Sequence, residues 1–483
     1  MKNLKLIFSI LIILTIIGCK EKDNYTYDEI IILTPNFDKQ ITSPIKKEAL
    51  EYQKNHNLFI NIVSPSWEDM PKKISESLND ENINYDIFVL FSSWAGSLLS
   101  KNDAAEIPDE IKEKIDWDDI LPIYKNNILK WNKKYFFLPY DGDCIILYYR
   151  KDIFENPKYQ KEFKTRYKYE LSPPKTWKQY KDIAEFFNGW DWDNDGKIEY
   201  GFAESRIKGY GTTFQFLTKA AAYTKYPDNN YFYFDENMKP LINNEGFINA
   251  LEDFVEIMKF APPNIKNYSP AEVRMSFITG EVAMALDWAD IGTMANNAKE
   301  SIVKGKIAYA KLPGSNKTFN NKTNKWEYFY NAPSSINGNW VIVVNKNSEN
   351  LKKAFDFAAH MTSKDITKKY VTKGESGINP SRYSHLNKDN LEDWINDGFS
   401  KNEAKAYLDV ILESLENKNV ISDLKIPQSS EYYKVFENYL NLVVKGELTP
   451  KEALNSIAKR WNQITNTYGL EKQKRFYKET INE

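Results

Sequence analysis

The sequence predicts an α/β fold, a parallel sheet with helices on its faces. Three observations predict it. Strand-like and helix-like segments alternate from residue 29 onward. The strand-like segments are near-continuous apolar runs, as in sheets covered on both faces. The chain has 483 residues, enough for large cores and for two or three domains.

Glu29–Leu33 (EIIIL), Leu58–Val63 (LFINIV) and Asp86–Phe91 (DIFVLF) read as buried strands. Ile45–Gln53 and Met70–Leu78 carry helical apolar spacing between them, which completes a β-α-β-α-β order. Ligands in such sheets bind beyond the carboxyl ends of the strands. The segments found there are Thr34–Phe37, Ser64–Trp67 and Ser92–Trp94, all polar and aromatic, so Asn36, Trp67 and Trp94 become candidate ligand contacts.

Further along, Phe136–Asp143 precedes a strand at Cys144–Tyr149. Thr176 with Gln179 three residues later is a capping box, and the helix it starts runs towards Gly189. Ile248–Phe260 is amphipathic, and Gly338-Asn339-Trp340 precedes a strand at Val341–Val344. The segment Pro313–Ser335 reads as a long loop. Thr449-Pro450-Lys451-Glu452 supplies an N-cap, an N1 proline and an N3 glutamate for a helix with an apolar stripe. Trp177 and Trp461 lie in such stripes and read as core residues.

The N-terminus has its own pattern. Lys2 and Lys5 precede an apolar run from Leu6 to Ile17, then come Gly18 and Cys19, then a polar run. As a helix the apolar run is about 18 Å long against roughly 30 Å of hydrocarbon, the proportions of a signal peptide. Gly18-Cys19 resembles the bacterial lipoprotein cleavage box. The resemblance implies removal of residues 1–18, lipid on Cys19 and a tether over 19–28. Losing Lys2 and Lys5 takes the formal net charge from −2 to about −4. With no basic surplus, nucleic-acid binding is disfavoured. Only Cys144 would remain as a thiol, so no intramolecular disulfide can form. Aromatic residues make up 14% of the chain, 12 of them Trp, which suits a cleft that grips ligands by ring faces.

Six segments in order carry a more specific resemblance: LPYDGDCIILYYRKDIFENP, PPKTW, FITGEVAMALDWADIG, INGNWVIVVNKNS, GINPSRYS and GELTPKEALNSIAKRWNQI. They resemble the sugar-binding subunits of bacterial ABC importers, the maltose-binding-like extracellular solute-binding proteins. The match runs from about residue 29 to 466. It implies a type II periplasmic-binding-protein fold, two α/β lobes with a hinged ligand cleft. Lobe one would take residues 29–143 and 336–380, lobe two 144–335 and 381–483 with the C-terminal helices. The chain would cross near Asp141–Cys144, Ile336–Trp340 and Gly377–Arg382. The implied partners are a sugar or oligosaccharide, ABC permease subunits and, through Cys19, the membrane. The implied molecule is an exported monomer anchored to a membrane and facing the periplasm or cell exterior.

A pyranose needs carboxylates, amides and Arg at its hydroxyl rim and aromatic faces for its C–H groups. Trp288 lies where the family places a stacking tryptophan, and Trp340 at the family's Gly-Gly-Trp-like hinge element, with Asn339 replacing the second glycine. Asp141, flanked by Tyr140 and Asp143, lies in a Tyr-Asp-Gly-Asp hinge. Arg382 resembles the family's cleft arginine. No cofactor is required by this reading. A structural calcium is suggested by Asp191, Asp193 and Asp195 with Gly196, the opening half of an EF-hand loop, and by Glu199 at position nine. Phe202 holds position twelve, so the bidentate glutamate is missing, and Glu204 or a distant carboxylate would have to substitute.

His56, His360 and His385 are far apart with no zinc spacing. No nucleophile elbow or phosphate-cradling loop is present. The competing readings are the same fold binding a polyamine, peptide or other small polar solute, a sensor that has lost transport, or a lipid-anchored glycosidase using Asp141 and Asp143. The last needs carboxyls about 5–5.5 Å or 6.5–9.5 Å apart across a bond, which residues i and i+2 of one loop rarely supply.

Overall fold

A computed structural model of the chain describes residues 28–37, 40–80, 83–192, 194–374 and 376–481. Two sheets organise it. The first has five strands, in the order Leu58–Val63, Asp28–Leu33, Ile87–Phe91, Trp340–Val344 and Leu138–Pro139. The first three pair in parallel as predicted. Trp340–Val344 returns antiparallel against Ile87–Phe91, with Trp340 in register with Phe91, and against Leu138–Pro139. The sheet is therefore mixed rather than purely parallel. Its antiparallel strands enter from segments about 50 and 250 residues downstream in sequence, which no local pattern announces.

The second sheet orders Ile307–Ala310, Ile146–Arg150, Val282–Asp287 and Tyr200–Ala203. Only its last pair is parallel. Helices cover both sheets. Thr42–Asn55 and Leu351–Thr362 pack on the first, Trp177–Phe187, Pro270–Ile278 and Lys401–Leu415 on the second. Each sheet with its helices is one α/β lobe.

The capping boxes at Thr176 and Thr449 form, and Trp177 and Trp461 are core residues. The long 313–335 segment is less irregular than predicted, because Thr318–Asn320 and Lys325–Glu327 pair as a hairpin. Among the described residues no helix is long and apolar enough to cross a membrane.

The connections between lobes differ from the prediction at several points. Ser381 and Arg382 were expected at the start of lobe two, yet this segment is tied to lobe one. Leu121 N–H donates to Ser381 O at 3.0 Å, Tyr383 N–H to Asp119 O at 2.8 Å, and Ser384 Oγ to Asp119 Oδ2 at 2.5 Å. The chain leaves lobe one only after this turn.

It then crosses once more. Val420–Ile421 pairs with Ser334–Ser335 at the hinge. Asp423 accepts from Gly338 N–H at 3.0 Å and from Ser92 Oγ at 2.7 Å. Lys425 Nζ, buried, donates to Asn127 O, Ile128 O and Lys130 O at 3.2, 2.9 and 2.9 Å. The C-terminal helices were expected on lobe two alone. The last one, Leu470–Ile481, instead holds both lobes. Tyr477 Oη accepts from the Phe232 and Tyr233 N–H groups of lobe two at 3.3 Å each. Phe476 packs on Trp131 of lobe one at 5.7 Å between ring centroids, and Trp131 Nε1 donates to Glu479 Oε2 at 3.0 Å.

Candidate functional site

Parallel strands end at one edge of a sheet, so the loops that follow them converge. In lobe one those loops bring aromatic rings together. Phe37 and Trp67 stack at 5.6 Å with an 11° interplanar angle. Trp67 also meets Trp94 at 4.5 Å and Phe91 at 4.7 Å. The register of Trp340 with Phe91 sets their rings 4.3 Å apart.

Lobe two supplies three more rings. Tyr210 and Phe214 lie on the first turns of the Tyr210–Thr224 helix, and Trp288 directly follows the Val282–Asp287 strand. Tyr210 approaches Trp67 at 4.8 Å and Trp288 at 6.2 Å, and Phe214 approaches Phe91 at 5.8 Å. The eight rings thus form one patch reaching across the gap between lobes. The gap is a cleft of about 2280 Å³, beyond the 300–1,000 Å³ usual for a small-molecule pocket.

At its hinge end the cleft adjoins a recess of about 30 Å³, lined among others by Asp141, Asp143, Arg274, Trp288, Asp290 and Trp340. The crossing strand fixes these groups. Asp141 N–H donates to Trp340 O at 3.1 Å. Asp141 Oδ1 accepts from Gly142 N–H and Asn379 N–H, both at 2.7 Å. Asp143 Oδ1 accepts from Asn379 Nδ2 at 3.0 Å. Gly142 allows this crossing because a Cβ there would stand 2.3 Å from Pro380 O. Gly338 has φ +94°, and a Cβ would meet Trp288 Nε1 at 3.1 Å and Asp143 Oδ2 at 3.4 Å. Asn339 forms the turn without a second glycine. Its Nδ2 donates to Ile336 O at 2.5 Å while its carbonyl accepts from Ser92 N–H at 3.0 Å. Trp288 is oriented by Nε1 donating to Asn337 O at 2.7 Å.

Electrostatics at the hinge are dominated by burial, which disfavours charge. Burial pushes Asp141 up to about 7, and burial with the neighbouring Asp141 and Asp290 pushes Asp143 well above the carboxylate range. Burial likewise pushes Asp287 up to about 7 against the pull of Arg274. Burial opposes the Arg274 charge, but Asp287 and Asp290 outweigh it and hold the guanidinium above its ordinary value. Arg274 Nε lies 2.7 Å from Asp287 Oδ2, and Nη2 lies 2.8 Å from Asp290 Oδ2. Cys144, next along the crossing, is a buried free thiol pushed up to about 12 by burial.

Of the residues singled out in the sequence, Trp67, Trp94 and Asn36 line the cleft, and Asp141, Asp143, Trp288 and Trp340 line the hinge recess. Two lie elsewhere. Tyr140 is buried with its hydroxyl donating to Ile41 O at 2.7 Å, a fastening inside lobe one. Arg382 was expected in the cleft, but its side chain has no exposure. Nη2 donates to Thr362 O at 2.5 Å, Nη1 donates to Asp116 O at 3.2 Å, and Asp119 lies 3.7 Å away. It braces lobe one from within. Sequence reasoning missed Phe37, Phe91, Tyr210, Phe214, Arg274 and Asp290. Phe37 and Phe91 sit in or beside the strand-end segments it named, and Asp290 lies two residues past Trp288. Tyr210, Phe214 and Arg274 carry no local signal.

The acidic turn lies apart from the cleft. Asp191, Asp195 and Glu199 bring carboxylate oxygens within 4.8 Å of one another. Asp193 and Cys19 lie outside the described residues. Phe202 is buried in a strand, and Glu204 is turned inward, 2.9 Å from Arg206, so neither joins the cluster.

The chain matches the bacterial extracellular solute-binding protein family over residues 49–397, well over half its length. Solved structures share the fold at low identity. An ABC transporter solute-binding protein from Agrobacterium radiobacter K84, in complex with ribitol, is 18% identical with a TM-score of 0.70, covering 90% of this chain and 98% of its own. One from Agrobacterium vitis S4, with bound D-mannitol, is 19% identical with a TM-score of 0.67, covering 92% and 99%. Maltose-bound MalE3 of T. maritima is 19% identical with a TM-score of 0.66, covering 90% and 99%. Two α/β lobes, a cleft between them and a family match along most of the chain agree: this protein belongs to the bacterial extracellular solute-binding proteins.

Proposed function

We propose that the protein captures a sugar or oligosaccharide between its lobes and delivers it to an ABC permease outside the membrane. One observation carries this: eight aromatic rings from both lobes form a continuous patch beside buried carboxyls. Sugar rings offer C–H faces to such a patch and hydroxyls to such carboxyls. The volume of the cleft suits lobes that close on a bound solute, removing it from water and changing the outline a permease meets. The polyols and sugars bound by the structural neighbours support the same reading.

The test is a panel of polyols, monosaccharides and oligosaccharides read by tryptophan fluorescence and melting temperature. Binding shifts both signals. A panel that moves neither overturns the sugar assignment. Catalysis is disfavoured because Asp141 and Asp143 share Asn379 as donor on one buried crossing instead of flanking an open bond. Release of reducing ends from labelled oligosaccharides would reverse that conclusion.

The address of the protein is part of the proposal. Export through the N-terminal signal and lipid on Cys19 would hold it beside its permease. A structural calcium at Asp191, Asp195 and Glu199 is proposed as a brace of lobe two, not as part of capture. Calcium should then raise the melting temperature and EDTA lower it, with no effect of either on a variant carrying D191N and D195N.

A further inference from the structure

We propose that the hinge recess is built to hold a protonated amine, so that the captured solute carries a cationic nitrogen. This rests on the capture function above and adds the charge of the ligand. Four carboxyls meet at the hinge end: Asp141, Asp143, Asp287 and Asp290. The cation facing them, Arg274, is already engaged by two, through Nε to Asp287 at 2.7 Å and Nη2 to Asp290 at 2.8 Å. Asp141 and Asp143 are 3% and 6% exposed and have no ion pair among the described residues. Their N–H donors all fall on one oxygen of each carboxyl, Oδ1.

Asp143 Oδ2 receives no N–H donor among the described residues, and the carboxyl's remaining hydrogen bond is to the neighbouring Asp141 carboxyl. Asp143 Oδ2 lies against the bare backbone of Gly338, 3.4 Å from where a Cβ would stand. Both residues line the recess. A carboxyl buried this deeply is normally paired or hydrogen-bonded at both oxygens. The recess, about 30 Å³, admits one water-sized group. An ammonium is such a group, with three donors and a charge opposite to that of its surroundings. Trp288, Trp340 and Tyr210 border the same recess. A neutral hydroxyl could donate one hydrogen bond there but brings no charge to a pair of carboxyls whose ionised forms burial disfavours. Burial, with the pressure of Asp141 and Asp290 added to it, drives the Asp143 carboxyl up, and an ammonium beside it would relieve both.

An amine can be borne by a sugar or by a simple alkyl amine, and the test separates the two. Calorimetric titration of the full mature chain would compare glucosamine and its dimer with N-acetylglucosamine and its dimer, with glucose and maltose, and with putrescine. The free amino sugars should bind about tenfold or more tightly than their acetylated counterparts. D143N should bring that ratio to within about threefold of unity, with D290N as a second variant should D143N fail to fold. Equal or tighter binding of the acetylated or neutral sugars overturns the cationic recess but leaves sugar capture standing. Putrescine binding with no sugar binding keeps the recess and overturns sugar capture. Absence of any amine binding overturns the recess whatever the sugars do.

Discussion

Three side-chain positions at the hinge make claims that single substitutions can test. Gly338 has φ +94° and faces Trp288 and Asp143, so Gly338→Ala strains the backbone and crowds the recess. A loss of about 1–3 kcal/mol is expected by denaturant titration. Trp340 contributes a ring to the patch from lobe one, and Trp340→Ala should weaken a bound sugar by about tenfold or more, measured by calorimetry. Asp141 gives a pH signature. Burial raises its folded value to about 7 from an unfolded value near 3.8, so the folded state holds the proton more tightly. Its stabilising contribution is complete below about pH 4 and is lost as pH rises through about 7. Asp141→Asn should flatten the decline of melting temperature across that window in the ligand-free protein. These residues were legible in the sequence because strand ends and hinge motifs point at a cleft. Tyr210 and Arg274 were not, because each sits on a helix whose placement at the cleft is set by packing within lobe two, as Arg274 is by Asp287 and Asp290. Arg382 shows the converse. Its place at a crossing was readable, but not whether its side chain faces the cleft or the interior, since that depends on Thr362 and Asp116, some 20 and 266 residues away.

At the level of elements, local signals were sufficient where structure is local. The capping boxes at Thr176 and Thr449 formed as read, and Thr449→Ala should cost about 1 kcal/mol of stability. The parallel trio of strands followed from alternation of apolar runs. The antiparallel strands did not, because Trp340–Val344 joins its sheet across some 250 residues of intervening chain. The terminal helix is a similar case. Its amphipathic pattern says that one face is buried, but not that two lobes share it. Phe476 and Glu479 reach lobe one, both at Trp131. Phe476→Ala should therefore cost about 3–5 kcal/mol by denaturant titration, the usual range for emptying a buried Phe site.

The whole molecule places a wide cleft between two lobes. Ligand that binds only the folded, closing form stabilises it by mass action, about 2.7 kcal/mol at a hundredfold excess over Kd. Calorimetric melting at graded ligand concentrations should show that dependence, and solution scattering should show a smaller radius of gyration in the bound form. The connections temper this motion. Beside the hinge crossings, Asp423 and Lys425 clip the returning chain to lobe one, and the Leu470–Ile481 helix touches both bodies. Closure must carry these contacts along, so any movement is a restrained rotation rather than a free swing.

Cys144 offers an assay. The chain has two cysteines, and this one is sealed inside the hinge with its thiol held near 12, so the thiolate that reacts with labelling reagents is scarcely formed. Reagent counts on natively folded protein therefore report Cys19 alone. Protein taken from the cell envelope should yield no reactive thiol when folded and one after denaturation if Cys19 carries lipid, and two after denaturation if it does not. A silent residue at the pivot thus becomes the internal standard against which modification at the other end of the chain can be counted, with no mutation required.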